Sequence, residues 1–72
     1  MIQVKLLLDY LWKSTSITLQ SFEITKRSTG KWYVFVYFED EEGTQCDFNC
    51  EDESLETAAA DVYEQVGEWM TE

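Results

Sequence analysis

Two cysteines and fifteen carboxylates are the side chains of this chain that could carry out chemistry. Cys46 and Cys50 lie four residues apart in "TQCDFNC". In a β-strand this spacing covers about 13 Å, whereas a disulfide needs Cα atoms within about 7 Å of each other. The spacing therefore predicts two reduced thiols in the core, which is typical of a reducing compartment.

Metal binding lacks the residues that it requires. The chain has no histidine, so a zinc site would have only the two cysteines as ligands. The stretch "DFNCEDESLETA" resembles a calcium loop, but Asp52 stands where an EF-hand needs glycine and Ala58 where it needs a bidentate glutamate. We expect no metal and no cofactor.

The chain also lacks the residues of common catalytic sites. Without histidine, neither a Ser-His nor a Cys-His nucleophile pair can form, and the three glycines are too isolated for a phosphate-binding loop. Two carboxylates can act as acid and base, but nothing distinguishes one pair among the fifteen. A domain of 72 residues also leaves little room for a deep pocket. We expect no catalytic residues and no enzymatic activity.

Length and composition predict one small domain that covers residues 1–72. Apolar residues make up 44% of the chain, enough for a core despite the net charge of −10. No segment reaches the roughly 18 apolar residues of a membrane span. The N-terminal "MIQVKLLLDYLWK" is interrupted by Asp9 and lacks a small-residue cleavage site, so we expect a cytoplasmic protein.

Residues 2–13 allow two interpretations. Apolar residues recur with helical spacing at Val4, Leu7, Leu8 and Leu11. Alternating apolar residues would also suit a strand, and they are Ile2, Val4, Leu6, Leu8 and Tyr10. The helix is favoured, because Lys5, Asp9 and Lys13 recur at i,i+4 spacing on another face.

The middle of the chain predicts three antiparallel strands. "SITLQSFEITKR" is the first, and its apolar parity changes near Gln20–Ser21, which indicates a bulge. "STG" is a hairpin turn with Gly30 at positive φ, followed by the strand "KWYVFVYF". "EDEEG" forms the next turn and "TQCDFNC" the third strand.

A second helix is predicted from about Ser54 to Met70, capped by Asp52 or Ser54, with Glu53 and Glu56 at its positive end. Its apolar stripe comprises Leu55, Ala59, Val62, Val66, Trp69 and Met70. The predicted fold is α+β: a three-stranded antiparallel β-meander with an N-terminal and a C-terminal helix on one face (α-β-β-β-α).

This element order is similar to that of the double-stranded-RNA-binding domain. Such domains contact phosphates and 2′-hydroxyls through basic side chains. Here the last helix begins with "CEDESLE", and the resemblance covers element order without any motif. We therefore expect no direct binding of nucleic acid.

Charge is segregated along the sequence. Residues 1–31 carry five basic and two acidic side chains, whereas residues 32–72 carry thirteen acidic and no basic ones. Asp61, Glu64, Glu68 and Glu72 recur every three or four residues of the predicted helix, about 4.5–6 Å apart along its axis. The predicted partner-binding residues are Glu39, Asp40, Glu41, Glu42, Glu51, Asp52, Glu53, Asp61, Glu64 and Glu68.

These features favour an inhibitor that occupies a basic surface. In size, charge and lack of catalytic residues the chain resembles small acidic viral proteins that inhibit host nucleic-acid enzymes by mimicking DNA. The expected partner is a basic nucleic-acid-binding protein or complex, such as a restriction or CRISPR effector attacked by a phage. The simpler interpretation is a solvated acidic face, but it does not explain the missing lysines.

A different class of function depends on the middle strand, which is apolar on both faces. Two helices cover only one face of a three-stranded sheet, so Tyr33, Phe35 and Tyr37 would form an alternative interface. The occupant would be a second copy of the chain or a host protein. Alternatively, neighbouring long side chains half-cover this aromatic row.

Overall fold

The computed structural model describes residues 2–71 and contains two helices and three strands within them. The elements are α1 (Ile2–Lys13), β1 (Ile17–Lys26), β2 (Trp32–Asp40), β3 (Gln45–Asp52) and α2 (Leu55–Thr71). The predicted α+β class and the order α-β-β-β-α are confirmed. No helix in residues 2–71 is long and apolar enough to cross a membrane.

The three strands form one open antiparallel sheet in the order β1-β2-β3. The register between β1 and β2 shifts at Gln20, because Leu19 pairs with Phe38 while Ser21 pairs with Tyr37. This bulge is the one that the change of apolar parity predicted. It keeps the apolar residues before and after it on the same face of the sheet.

Both hairpins use the same kind of three-residue turn. In the first, the amide of Arg27 donates to the carbonyl of Lys31 at 2.8 Å, and Gly30 has a φ of 89°. The second repeats the pattern from Asp40, with Gly43 at a φ of 82°. A left-handed residue in third position favours glycine, so the two glycines fix where each strand ends.

Strand β2 is longer than predicted. Glu39 and Asp40, expected in the turn, lie in β2, where Glu39 pairs with both Thr18 and Gln45. Likewise Glu51 and Asp52 belong to β3. Backbone hydrogen bonds hold an antiparallel ladder together, so acidic side chains are tolerated at the solvent-exposed end of a sheet. The low strand propensity of these acids had indicated a turn instead.

Helix α2 begins one residue later than predicted, at Leu55, and ends at Thr71. Ser54 is its N-cap, since the Ser54 hydroxyl accepts a hydrogen bond of 3.3 Å from the amide of Thr57. The carboxylate of Asp52 in turn accepts a hydrogen bond of 2.9 Å from the amide of Ser54. Both candidate caps therefore take part in the helix start.

The core lies between the two helices and one face of the sheet. Its buried residues are Leu7, Leu11, Ile17, Val34, Val36, Phe38, Leu55, Ala58, Ala59, Val62 and Val66. Each large apolar side chain buried here stabilises the fold by about 1.5–3 kcal/mol relative to exposure. Of the predicted stripe on α1, Val4, Leu7 and Leu11 contact this core, but Leu8 remains 40% exposed.

The two helices run in the same direction, as their contacts show. Near the start of both helices, the amide of Gln3 donates to Glu56 Oε2 at 3.0 Å. Further along, the Tyr10 ring lies 5.1 Å from that of Tyr63, and the Tyr10 hydroxyl lies 2.9 Å from Met70 Sδ. Helix α1 consequently lies beside α2, above β1.

Candidate functional site

Helix α2 runs antiparallel to β3, and this arrangement aligns the predicted acidic residues. The Cys50 thiol contacts Asp61 Oδ2 at 2.9 Å, and the Gln65 amide donates to the Asn49 carbonyl at 3.1 Å. One side of the molecule is therefore formed jointly by β3 and α2. We call the following acids the acidic track: Glu51–Glu53, then Asp61, Glu64 and Glu68, then Glu39–Glu42. Glu39 and Glu51 lie at its margin, because their strand positions put them on the sheet face opposite the helices.

The central part of the acidic track is the outer surface of α2. Asp61, Glu64 and Glu68 are all exposed there. From Asp61 to Glu68 the helix advances by seven residues, so these three carboxylates cover about 10 Å along its axis. Glu72, the fourth residue of the predicted helical stripe, lies outside the described residues.

The acidic track ends at the β2–β3 turn, beside the C-terminal end of α2. Glu41 and Glu42 line a cleft there together with Trp69 and Met70. Helix α2 has no basic residue in its last turn, and the C-terminal end of a helix carries partial negative charge. The C-terminal end of α2 and the acidic turn therefore both contribute negative electrostatic potential at this cleft.

Four of the ten predicted partner-binding carboxylates already have internal contacts. Asp40 Oδ1 accepts hydrogen bonds from the amides of Glu42 (2.9 Å) and Thr44 (2.8 Å), which builds the turn. Asp52 and Asp61 accept the contacts described above, and Glu51 pairs with Arg27 Nε at 3.2 Å. Over residues 2–71 the other six side chains form no internal hydrogen bond or ion pair: Glu39, Glu41, Glu42, Glu53, Glu64 and Glu68.

The β1–β2 turn is basic and lies at the other end of the sheet. Lys26, Arg27 and Lys31 surround it. Lys26 Nζ lies 4.7 Å from the Trp32 ring centroid, and the Arg27 guanidinium lies 4.3 Å from that of Tyr33. This turn lies near Glu51–Glu53, so its positive charge partly compensates the negative charge at that end of the acidic track. The negative charge at the other end, Glu39–Glu42, is not compensated in this way.

The predicted aromatic interface is less exposed than its composition suggests. Tyr33, Phe35 and Tyr37 lie on the sheet face opposite the helices, and all three are half-buried. Tyr33 and Phe35 stack with ring centroids 6.3 Å apart, and Arg27 covers Tyr33. The neighbours thus cover part of each ring.

A more exposed apolar surface lies on α1, where the sequence interpretation placed no site. Trp12 is 76% exposed, and Leu8, one turn earlier, is on the same side of the helix. The sequence does carry a signal for this surface. Leu8 and Trp12 have i,i+4 spacing, and they lie outside the stripe that Leu7 and Leu11 define.

The cysteines are free, half-buried thiols in β3. Burial, the hydrogen bond to Asp61 and the charges of Asp61 and Asp52 raise the pKa of Cys50 to about 11. Burial and the nearby charges of Asp40 and Asp47 also raise the pKa of Cys46. Both thiols are therefore held in their protonated, weakly nucleophilic form.

Within residues 2–71, no group of three or more cysteine, aspartate or glutamate side chains is arranged to hold a metal ion. Comparisons with protein-family models, curated proteins and solved structures found no match to this chain. The acidic track and the exposed apolar side chains are thus the features from which a function can be argued.

Proposed function

We propose that this chain is a non-enzymatic inhibitor or binding protein that occupies the basic nucleic-acid-binding surface of a partner. Its concrete form would be a phage-encoded DNA mimic directed against a restriction or CRISPR effector, acting in the cytoplasm of a bacterial or phage-infected host cell. The observation that carries the proposal is the acidic track along α2 and the β2–β3 turn.

The dimensions of the track support this proposal. The carboxylates of α2 advance by about 4.5–6 Å each, of the same order as the roughly 3.4 Å per nucleotide along one strand of DNA. Glu64 and Glu68, like Glu41 and Glu42 at the turn, are exposed and have no internal partner among the described residues. These carboxylates are free to pair with lysine and arginine side chains of a groove.

The cost of the track to the fold also supports a role in binding. Like charges crowded on one side repel one another and destabilise the compact state. A basic partner would relieve that repulsion on binding, and opposite charge would accelerate the encounter. Salt weakens interactions of this kind, because the screening length is about 8 Å at physiological ionic strength.

The test is capture of proteins from a bacterial lysate by the tagged chain, with elution by salt or free duplex DNA. The variant Glu41→Lys/Glu42→Lys/Glu64→Lys/Glu68→Lys should lose the captured basic protein. Asp61 is left in place because it contacts Cys50. If this variant captures the protein as well as wild type does at low salt, and free duplex DNA does not elute it, the track is not the binding surface.

A matched control distinguishes the effect of changing the acidic track from the effect of lowering the net negative charge. The variant Gln20→Lys/Glu23→Lys/Thr25→Lys/Ser28→Lys/Thr29→Lys changes only exposed residues of β1 and the basic turn. It adds six positive units, two fewer than the track variant. We expect this control to keep most of the capture, since the track is intact.

The second candidate function is a dimeric or adaptor module that uses Tyr33, Phe35 and Tyr37. It is favoured by the position of this row, since both helices pack on the other face of the sheet. An aromatic interface depends little on salt, whereas a nucleic-acid mimic depends strongly on it. Phe35→Ser should abolish such binding without unfolding the chain, and unchanged binding would exclude this row as the interface.

A further inference from the structure

The sheet face opposite the helices, which we call the open face, carries one internal arginine contact. The Arg27 guanidinium carbon lies 4.3 Å from the Tyr33 ring centroid, and Arg27 Nε lies 3.2 Å from Glu51 Oε1. Tyr33 and Glu51 are directly opposite one another on β2 and β3. Because a guanidinium is planar, it can stack on an aromatic ring and pair with a carboxylate beside that ring. A tyrosine opposite a carboxylate therefore forms an arginine site on this sheet.

The same pair of residue types recurs four residues further along both strands. Tyr37 of β2 is directly opposite Asp47 of β3, and it lies on the open face like Tyr33 because the separation is even. Four residues of a strand cover about 13 Å, so the two pairs do not share one cationic side chain. Between them Phe35 is opposite Asn49, which has no charge. The open face thus presents two separate tyrosine–carboxylate pairs.

The second pair has no cationic partner among the described residues. Within residues 2–71, Tyr37 forms no cation–π contact and Asp47 forms no ion pair or hydrogen bond. The basic residues of the sequence lie in α1, on the other face of the sheet, or at the basic turn: Lys5, Lys13, Lys26, Arg27 and Lys31. Asp47 is exposed, and Glu39, next along β2 on the same face, adds a second carboxylate beside Tyr37. The second pair therefore repeats the first without an internal cation.

We propose that Tyr37 and Asp47, assisted by Glu39, form a binding site for an arginine side chain of a partner protein. The guanidinium stacks on the Tyr37 ring and donates hydrogen bonds to Asp47, as Arg27 does at the first pair with Glu51. This inference names the partner chemistry of the second candidate function, the aromatic row, and rests on that function. Of the acidic track it uses only Glu39.

Charge and shape both favour arginine over other occupants. Within the strands, the charged residues of the open face are all carboxylates: Glu23, Glu39, Asp47 and Glu51. An anionic partner is therefore repelled, and a purely apolar partner would remove water from these carboxylates without pairing them. Lysine carries the same charge as arginine, but its ammonium has neither a plane to stack on a ring nor a fork to pair with a carboxylate.

Phe35 extends the site to a neighbour of the bound arginine. In an extended segment, side chains two residues apart point the same way and are about 6.6 Å apart, which is also the spacing of Tyr37 and Phe35 along β2. When the segment follows β2, an arginine on Tyr37 places the side chain two residues away on Phe35. The expected ligand is therefore an arginine and an apolar residue separated by one residue.

NMR titration of the isotope-labelled full chain with a short peptide tests the proposal. The probe contains one arginine and one leucine separated by a serine, with both ends blocked, and its match has lysine in place of arginine. We expect saturable shifts of the Tyr37 and Asp47 backbone amides, and weaker binding of the lysine peptide. Tyr37→Leu and Asp47→Asn should each weaken binding about two- to fivefold, which is the effect of losing an exposed cation–π contact or ion pair.

The internal arginine contact supplies a further variant. Arg27→Ala removes the side chain that covers Tyr33 and pairs with Glu51, so a second equivalent of the arginine peptide should bind there. The shifts at Tyr33 and Glu51 should then exceed those of the wild type. Glu64→Gln changes an exposed carboxylate of α2 and should leave peptide binding unchanged. Thermal unfolding of each variant checks that the chain remains folded.

Several results would overturn the proposal. They are the absence of saturable shifts at Tyr37 and Asp47, equally tight binding of the lysine peptide, and unchanged binding by Asp47→Asn. An Arg27→Ala protein that still binds a single equivalent would also contradict it, because a tyrosine opposite a carboxylate would then not suffice. Shifts confined to Glu64 and Glu68 would assign the arginine to the acidic track instead.

Failure of this site is distinguishable from failure of either proposed function. Lysate capture with Phe35→Ser tests the aromatic row, whatever its occupant. A captured protein that depends on Phe35, without binding of the arginine peptide, would support the row and reject arginine as its ligand. Self-association that depends on Phe35 would identify a second copy as the occupant and reject the proposal. The variants Tyr37→Leu and Asp47→Asn keep every residue of the acidic track, so capture through the track is unaffected.

Discussion

The carboxylate of Glu56, in the first turn of α2, accepts a hydrogen bond of 3.0 Å from the backbone amide of Gln3 at the start of α1. Helix α1 has no acidic residue in its own first turn. A residue 53 positions away therefore satisfies one of its free amides. Since the two helices are parallel, one carboxylate is close to the positive ends of both.

Replacement of Glu56 should lower stability through both helices. Glu56→Ala removes a cap from α1 and a favourable charge from α2, so we expect a loss of about 1–2 kcal/mol in the free energy of unfolding. Urea denaturation measures this value. Glu64→Ala, an exposed position on the same helix, is the control, and equal stability of the two variants would contradict the assigned role of Glu56.

Val62 tests the packing of α2 on the sheet. It is fully buried, so Val62→Asp places a charge without a partner in the core. We expect a loss of more than about 4 kcal/mol, which unfolds a domain of this size. Circular dichroism would detect the unfolding, and Thr57→Asp at an exposed site of the same helix should remain folded. Wild-type thermal stability of Val62→Asp would rule out this packing.

The contact between Cys50 and Asp61 makes thiol reactivity a probe of the fold. In a Cys46→Ala background, Asp61→Asn should lower the pKa of Cys50 from about 11 towards its ordinary value of 9.0, because it removes the carboxylate charge. The rate of alkylation against pH reports the change. An identical pH profile in both proteins would show that Asp61 does not act on the thiol.

Burial of Cys50, together with its contact to Asp61, raises the pKa of this thiol and so sets the direction of the pH dependence of stability. The folded thiol keeps its proton up to about pH 11, whereas the unfolded thiol loses it near 9.0. The stabilisation is therefore complete below pH 9.0 and is lost as the pH rises through 11. Cys50→Ala should reduce this alkaline loss, and urea denaturation across this range measures it.

Repulsion within the acidic track predicts a gain in stability when its charge is reduced. Glu64→Lys/Glu68→Lys leaves the apolar face of α2 unchanged, so the melting temperature should rise by a few degrees at low salt. The difference from wild type should shrink as salt screens the charges. A variant less stable than wild type at low salt would mean that these glutamates make stabilising contacts.

Local patterns in the sequence were enough to predict the elements. The change of parity between Leu19 and Phe22 located the bulge, and Gly30 and Gly43 marked the turns, because each depends on a few neighbouring residues. The alternation of β2 likewise assigned Val34, Val36 and Phe38 to one face, which the helices bury.

Contacts between distant residues could not be predicted in the same way. That Asp61 binds a thiol of β3, or that Glu56 caps α1, depends on where two elements meet in space. The exposure of Leu8 has a similar origin, because within residues 2–71 the elements in contact with α1 are α2 and β1. Helical periodicity indicates a face, whereas the neighbouring elements determine how wide the buried part is.

The opposite placement of the two turns has an electrical consequence for the whole molecule. Strand β2 has nine residues and separates the basic turn from the acidic one by roughly 26 Å along the strand axis. The chain therefore carries a permanent dipole moment along this axis. In the field of a positively charged surface it experiences a torque that directs the Glu39–Glu42 end inward. Orientation thus precedes contact, and a smaller fraction of collisions occurs with the wrong end.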